Sequence, residues 1–302
     1  MQKVSAWINA LRIKTLILAF SNVLVANAIS FYDGHFKLTI LIFGLLTAVT
    51  LQILSNLAND YGDFKKGTDN LNRVGPLRAL QSGIISLKEM KFGIIFFILI
   101  SLVFGVLLIY FAFNNLIIES LLFFLIGVLA ISSALFYTIG KKAYGYSGFG
   151  DIFVFTFFGL VAILGNYYLQ TLNFNFYNIL PAFSFGFLSV IVLNINNMRD
   201  IENDKLCDKN TIPVKIGIEK SIIYHNSLLI CSIILSSLFL LFRIKIDLVL
   251  ILFLVINNIS LKFFYLDSIK IKTIHFNNFL KLFIQYYLVF TLLFSFLLFY
   301  NK

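Results

Sequence analysis

The sequence predicts an all-α membrane protein with about nine transmembrane helices. Of 302 residues, 60% are hydrophobic and only 13% charged, a balance too oily for a soluble domain. The mean hydropathy of +0.92 agrees. Apolar stretches long enough to cross a bilayer also recur along the whole chain. At 1.5 Å per residue, a helix needs roughly 17 to 23 of them to traverse about 30 Å of hydrocarbon.

The first stretch, Thr15 to Phe31, is as long as those that follow and lacks a small-residue cleavage site at its end. It is read as a span that stays, not as a removable signal. Leu38 to Leu57, Phe92 to Phe113, Leu116 to Thr138, Phe149 to Gln170 and Tyr177 to Ile195 follow by the same criterion of length and hydropathy. Ile222 to Phe242, Ile246 to Tyr265 and Phe279 to Tyr300 complete the set. Most connections are short, but Ala58 to Lys91 and Asn196 to Ser221 are long, and long loops usually carry function. They follow the second and sixth spans, and a shift of 140 positions superposes Asn56 and Asp60 on Asn196 and Asp200. This reads as a weak four-helix internal repeat with a ninth helix added, all within one polytopic domain, residues 1–302.

A net charge of +10 does not make this a nucleic-acid binder, because the basic residues are scattered through short loops instead of gathered on one face. Their asymmetry sets orientation. With the N-terminus cytoplasmic, the inner side holds 18 of the Lys and Arg residues, Lys270 and Lys272 among them, and the outer side holds Lys37, Arg243, Lys245 and Lys302. Lys262 and Lys281 lie close to helix ends and are expected to snorkel. Cys207 and Cys231 are read as structural, and His35, His225 and His275 are too dispersed for a metal site or a triad.

Acidic residues are scarce, yet half of them lie in or beside SNLANDYGDFKKGTDN and NNMRDIEND. On a continuing helix Asn56, Asp60 and Asp63 share one face, and so do Asn196, Asp200 and Asp204. Stacked carboxylates repel unless cations lie between them. Mg²⁺ commonly takes one or two carboxylates together with water and phosphate oxygens. Two opposed stripes at the same end of two spans therefore predict a clamp for a diphosphate through two Mg²⁺ ions. Gly62 and Gly67 are expected to loosen or end the first helix, so that Asp69 turns back toward the site. Asp151, entering the fifth span, is a candidate to orient an acceptor or a ligating base. The glycines of GYSGFG are read as a tight turn.

NLANDYGDFKKGTDN followed by RVGPLRALQSG, then YTIGKKAYGYSGFGDIFVF, then NNMRDIENDKLCDKNTIPVKIG resemble the UbiA superfamily of intramembrane aromatic prenyltransferases. Within it they are most similar to the 1,4-dihydroxy-2-naphthoate polyprenyltransferases of menaquinone synthesis. The resemblance runs from about Trp7 to Gly217, and the last three spans match in hydropathy alone. It implies a UbiA-like helical barrel opening laterally to lipid in the bacterial inner membrane. The implied reaction is a Mg²⁺-dependent transfer of a polyprenyl chain from polyprenyl diphosphate to the naphthoate ring, with loss of CO₂.

The resemblance maps one motif onto Asn56, Asn59, Asp60, Asp63 and Asp69, and the other onto Asn196, Asn197, Arg199, Asp200 and Asp204. Asp60, Asp63, Asp200 and Asp204 are the expected metal ligands. It further implies diphosphate contacts from Arg199, Lys142 and Lys209, then Arg78, with Arg73 a further candidate cation. Lys141, Lys142 or Arg12 is expected to hold the acceptor carboxylate. Tyr137, Tyr144, Tyr146 and Tyr167 are candidate site aromatics. The chain departs from the family pattern at Ile13, where Pro is common, at Asp208, where Gly commonly precedes Lys209, and at Pro213.

Two other functions share part of this pattern. A secondary transporter would place its carboxylates near the bilayer midplane with access from both sides, whereas these cluster at one end. A related enzyme acting on 4-hydroxybenzoate, homogentisate or heme would share both acidic motifs and differ in its acceptor pocket.

Overall fold

The computed structural model describes residues 2–70, 73–267 and 275–302. Lys270 and Lys272, counted above toward orientation, lie outside the described residues. The described chain is helical. Helix α1 (Gln2–Leu11) precedes α2 (Ile13–Tyr32), α3 (Leu38–Lys65), α4 (Leu87–Phe113) and α5 (Ile117–Phe136). Then come α6 (Gly150–Thr171), α7 (Ile179–Arg199), the short α8 (Ile201–Leu206), α9 (Ile212–Arg243), α10 (Leu248–Phe264) and α11 (Phe276–Tyr300).

Among the described residues, eight helices are long and apolar enough to cross a membrane. The eighth expected span, Ile246 to Tyr265, corresponds to α10, whose 17 residues reach only about 25 Å, short of a full hydrocarbon core. The large apolar side chains turned outward, such as Leu121, Leu125 and Leu129 of α5, are exposed. That is a liability in water and the expected finish in lipid.

Helix α3 is 28 residues long and spans about 42 Å. Its last turns therefore project past the hydrocarbon and carry Asn56, Asp60 and Asp63 to the boundary. Gly67, at φ 74°, ends it. Gly62 does not loosen the helix: a Cβ there would lie 2.4 Å from Thr138 Oγ1, so its role is close packing. Helix α4 begins at a capping box, with Ser86 Oγ accepting from Glu89 N at 3.3 Å and Glu89 Oε2 accepting from Ser86 N at 2.9 Å.

One apolar core joins α2, α7, α9 and α11 through large buried rings, among them Phe185, Phe239, Phe283, Tyr287 and Phe294. A smaller core joins α1, α3 and α4 around Leu54, Leu57 and Met90. Within α6, Phe155–Gly165 is wound as a π-helix, and a Cβ on Gly159 would lie 2.6 Å from Ala182 O. The small pair Gly159 and Gly186 thus draws α6 against α7. The two most extensive helix pairings, α3 on α4 and α7 on α9, occupy equivalent places in the two halves, in keeping with the repeat.

Between the cores lies a cavity of about 1240 Å³ whose walls come from α1 to α8 and α11. Helices α9 and α10 stand outside it. The acid-bearing ends of α3 and α7 form one end. At the other, Arg243 pairs with Asp33, Tyr167 donates to Asp33 at 2.8 Å, and C-terminal Lys302 caps Phe31 O.

Candidate functional site

Three connections fold over one end of the cavity and bring the two acidic motifs together. Asn203 Nδ2, in the second motif, donates to Thr68 O at 2.9 Å in the first. Asn210 N donates to Tyr146 O at 3.1 Å, and Lys215 Nζ to Ser147 O at 2.6 Å, so the loop before α6 is tied in as well. The two Asp stripes face each other across this seam. The second is not one helix, however. Helix α7 ends at Arg199, and Asp200, at φ −99° and ψ 12°, breaks it before α8. The i, i+4, i+8 register expected for Asn196, Asp200 and Asp204 is therefore replaced by a bend that turns Asp204 toward Lys209.

Each carboxylate meets a cation. Asp60 pairs with Arg12 and lies 3.5 Å from Arg78 Nε. Asp63 accepts from Lys209 Nζ at 3.3 Å and from the Tyr146 hydroxyl at 2.7 Å. Because Tyr146 has one proton and gives it to Asp63, the 2.6 Å contact with Thr68 is a bond donated by Thr68. Asp69 turns back as expected and lies 3.4 Å from Arg73 Nε and 3.9 Å from Arg78 Nε. Asp200 is gripped by Arg199 through Nε at 3.0 Å and Nη2 at 2.6 Å, with Arg73 Nη2 at 3.6 Å. Arg73 thus links the motifs, and five acids face five bases.

Burial governs the protonation of these groups. It pushes Asp204 up to about 7; Lys209 opposes this, and nearby Asp200 and Asp63 reinforce it. Burial and Asp63 push Asp69 up to about 6 against Arg78. Asp200 is buried too, but its bidentate Arg199 together with Arg73 holds its carboxyl below the usual range. Burial would discharge Lys209, yet Asp63 and Asp204 keep its pKa above the ordinary value. Burial and neighbouring Arg12 bring Arg78 down to about 10, still charged at neutral pH.

The residues fit a hard divalent cation. Asp60 Oδ2, Asn59 Oδ1 and both Asp69 oxygens are buried with no hydrogen-bond partner, a set of waiting oxygen acceptors suited to Mg²⁺. Among the described residues no three His, Cys, Asp or Glu side chains form a ready metal cluster. A metal here would rely on one or two carboxylates and on oxygens its ligand brings.

Asn56, Asn59, Asp60, Asp63, Arg78, Tyr137, Asn196, Asn197, Arg199, Asp200, Asp204 and Lys209 all line the cavity. Asn56 is oriented by bonds from its Nδ2 to Leu11 O at 3.0 Å and Thr15 Oγ1 at 3.2 Å. Tyr146 and Asp69 stand immediately behind the lining, holding Asp63, Arg73 and Arg78. Lys141 and Lys142 are not brought to the site. Both are exposed in the turn after Gly140 and lie outside the cavity lining, because the chain there is committed to the turn that delivers Tyr144 and Tyr146. Asp151 is buried against Tyr224, whose hydroxyl donates to it at 3.0 Å, and also lies outside the lining. Tyr167 belongs to the opposite end.

The sequence reading missed Asn277, which accepts from Arg199 Nη1 at 3.0 Å, and the linking role of Arg73. It named Tyr137 and Tyr144 but not Phe153, which completes a ring wall: Tyr144 stacks on Phe153 at 3.9 Å between centroids and meets Tyr137 edge-on at 5.4 Å. Tyr144 is locked by donating to Ser133 O at 2.8 Å.

Comparison with known proteins is consistent across three measures. The model of the UbiA prenyltransferase family matches residues 19–284. A 1,4-dihydroxy-2-naphthoate octaprenyltransferase of Haemophilus influenzae is 45% identical over 230 residues, covering 76% of this chain and 74% of that protein. The Escherichia coli enzyme of the same name is 40% identical over 240 residues, covering 80% and 78%. Among solved structures, a UbiA homologue from Archaeoglobus fulgidus bound to DMAPP and Mg²⁺ superposes with a TM-score of 0.62 at 20% identity, covering 95% of this chain and 99% of the other. An apo homologue from Aeropyrum pernix gives 0.64 at 14% identity, covering 95% and 98%. At these identities the structures speak for the fold alone.

Proposed function

The chain belongs to the UbiA prenyltransferase family, and from that premise we propose that it transfers a polyprenyl chain from polyprenyl diphosphate to 1,4-dihydroxy-2-naphthoate, releasing CO₂ and diphosphate and leaving demethylmenaquinol. The observation that carries this reading is the meeting of the two Asp motifs, linked by Arg73, at the polar end of a long and largely apolar cavity in a multi-pass membrane protein. A polyprenyl diphosphate has that same division into an anionic head and an oily tail.

Asp60 and Asp63 on one side, and Asp200 and Asp204 on the other, would hold two Mg²⁺ ions, with Asn56 and Asn59 beside the first pair. The metal supplies Lewis-acid stabilisation of the charge that develops on the departing diphosphate. Arg73, Arg78, Arg199 and Lys209 are preorganised at the same place. Held by carboxylates in a buried setting, they can turn to phosphate oxygens with little reorganisation. Acids and bases match one for one, so the diphosphate's added negative charge is best admitted together with its cations.

Beyond the charged end, the faces of Tyr137, Tyr144 and Phe153 wall the cavity where an allylic cation would form. Such rings stabilise a cation by about 0.5 to 2 kcal/mol each. Tyr144's hydroxyl is already engaged with Ser133. The allylic C–O bond breaks with its electron pair on the diphosphate. The ring carbon bearing the carboxylate forms the new C–C bond, and the pair of the C–CO₂ bond returns to the ring as CO₂ leaves. Substitution at that carbon removes the need for a base at the last step.

In this reading the acid-bearing end faces the cytoplasm of a bacterial cell and the C-terminus faces outward. The test is turnover by purified protein in lipid, with labelled polyprenyl diphosphate offered against 1,4-dihydroxy-2-naphthoate, 4-hydroxybenzoate and homogentisate, with and without Mg²⁺. A Mg²⁺-dependent prenylated naphthoquinol is expected. Product with another ring would keep the chemistry and change the acceptor.

A further inference from the structure

Seven basic side chains line the cavity: Arg12, Lys14, Arg73, Arg78, Arg199, Lys209 and Lys281. Five are ion-paired to the Asp motifs. Lys14 and Lys281 are the two that, among the described residues, have no carboxylate partner. They stand near the starts of two helices that pack together, α2 and α11, and both residues are exposed.

Helix α11 presents Asn277, Lys281 and Ile284 to the cavity, at i, i+4 and i+7, and so along one face. Its register is fixed at the charged end, where Asn277 Oδ1 accepts from Arg199 Nη1 at 3.0 Å. Lys281 follows one turn further in, about 6 Å along the helix axis, where the lining changes from charged to apolar. A free ammonium there, outside the ion-pair network that serves the diphosphate, is placed for a second and smaller anion.

We propose that Lys281 is the residue that binds the carboxylate of the aromatic acceptor, with Lys14 as the neighbouring cation. This rests on the arylcarboxylate acceptor of the reading above. The assignment replaces Lys141 and Lys142, which, unlike Lys281, lie outside the cavity lining. It also gives the last helix a role in acceptor choice. A lysine suits the position better than a buried arginine fork. A fully desolvated bidentate grip would stabilise the carboxylate and hold back its loss as CO₂, whereas a partly exposed ammonium orients it and can let go. Lys281 therefore contributes acceptor binding and not barrier lowering.

The test measures steady-state kinetics of the full-length protein in lipid for wild type, Lys281→Met and Lys281→Arg, with 1,4-dihydroxynaphthalene as a competitor that lacks the carboxylate. In Lys281→Met the KM for 1,4-dihydroxy-2-naphthoate is expected to rise about tenfold or more, the loss of one charge-assisted hydrogen bond. The values of kcat, the KM for polyprenyl diphosphate and the Ki of the competitor should stay within a few-fold of wild type, and Lys281→Arg should recover most of the lost affinity. An unchanged KM for the naphthoate in Lys281→Met overturns the proposal. So does an equal weakening of naphthoate and competitor, which would mark a structural role. If wild type itself fails to turn over the naphthoate, the functional reading falls and takes this assignment with it. That failure is recognised in the control, before any variant is compared.

Discussion

Tyr146 donates its phenolic proton to Asp63 at 2.7 Å, and this bond crosses between the loop before α6 and the end of α3. Lys66 and Lys209 lie over the same ring, 3.8 and 5.3 Å from its centroid. Tyr146 therefore orients a carboxylate expected to hold metal while offering its ring to two cations. Its hydroxyl stays protonated, because burial and the adjacent Asp63 raise its pKa.

Tyr146→Phe removes that donor and keeps the ring. Outer-shell hydrogen bonds of this kind typically contribute about 10- to 100-fold to metal affinity or activity. The variant should need about tenfold more Mg²⁺ for half-maximal turnover, with acceptor KM little changed. A Mg²⁺ titration of turnover checks this, and an unshifted midpoint would remove Tyr146 from the metal-supporting shell.

Asp60 and Asp200 are superposed by the 140-position shift, yet their cations differ: Arg12 and Arg78 for the first, Arg199 and Arg73 for the second. Asp60→Asn and Asp200→Asn should each lower kcat by about 100-fold or more, with expression and membrane insertion retained. Normal turnover in both variants would sink the metal-clamp assignment.

Protons should compete with the metal. Asp204 is pushed up to about 7 and Asp69 to about 6 by burial and neighbouring carboxylates, so below neutral pH the metal-free protein carries protons that Mg²⁺ must expel. As a raised carboxylate pKa means the charged form is disfavoured, metal affinity is full above pH 7 and declines as pH falls through 7 and then 6. Apparent Mg²⁺ affinity should drop about tenfold per pH unit for each proton displaced. Calorimetry in buffers of different ionisation enthalpy would show the released proton directly. A flat affinity between pH 5.5 and 7.5 would contradict it.

The spans and both Asp motifs were legible in the sequence because hydropathy and i, i+4 spacing are local properties. Asn56, Asp60 and Asp63 kept their predicted face since nothing interrupts α3 before Gly67. The break at Asp200 was not legible, because it depends on Arg199 folding back onto the neighbouring carboxylate. Nor were the reach of Arg73 across the seam or the docking of Asn277 on Arg199. These join residues far apart in sequence whose contact only the tertiary fold creates. Lys142 illustrates the converse: a motif residue of the expected type, at a turn whose geometry points its neighbours Tyr144 and Tyr146 inward and leaves it exposed.

Asp208 adopts φ 53°, the left-handed region, and this explains why its departure from glycine is tolerated at a cost. The reversal there returns the chain from α8 so that Lys209 N can donate to Asp204 O at 2.8 Å and Lys209 Nζ can reach Asp63. An L-residue in that region costs about 1 to 2 kcal/mol, least for Asp and Asn, while a glycine forfeits about 0.5 to 1 kcal/mol of chain entropy on folding. Asp208→Gly should therefore be neutral to stabilising by up to about 1 kcal/mol, and since the exposed Asp208 carboxylate makes no ion pair with Lys209, turnover should be kept. Asp208→Val, β-branched at positive φ, should instead destabilise by at least about 1 kcal/mol and lower turnover by displacing Lys209 from Asp63. Thermal unfolding in detergent, read beside kcat, separates the two. If both variants melted together with wild type, the left-handed turn would not be what positions Lys209.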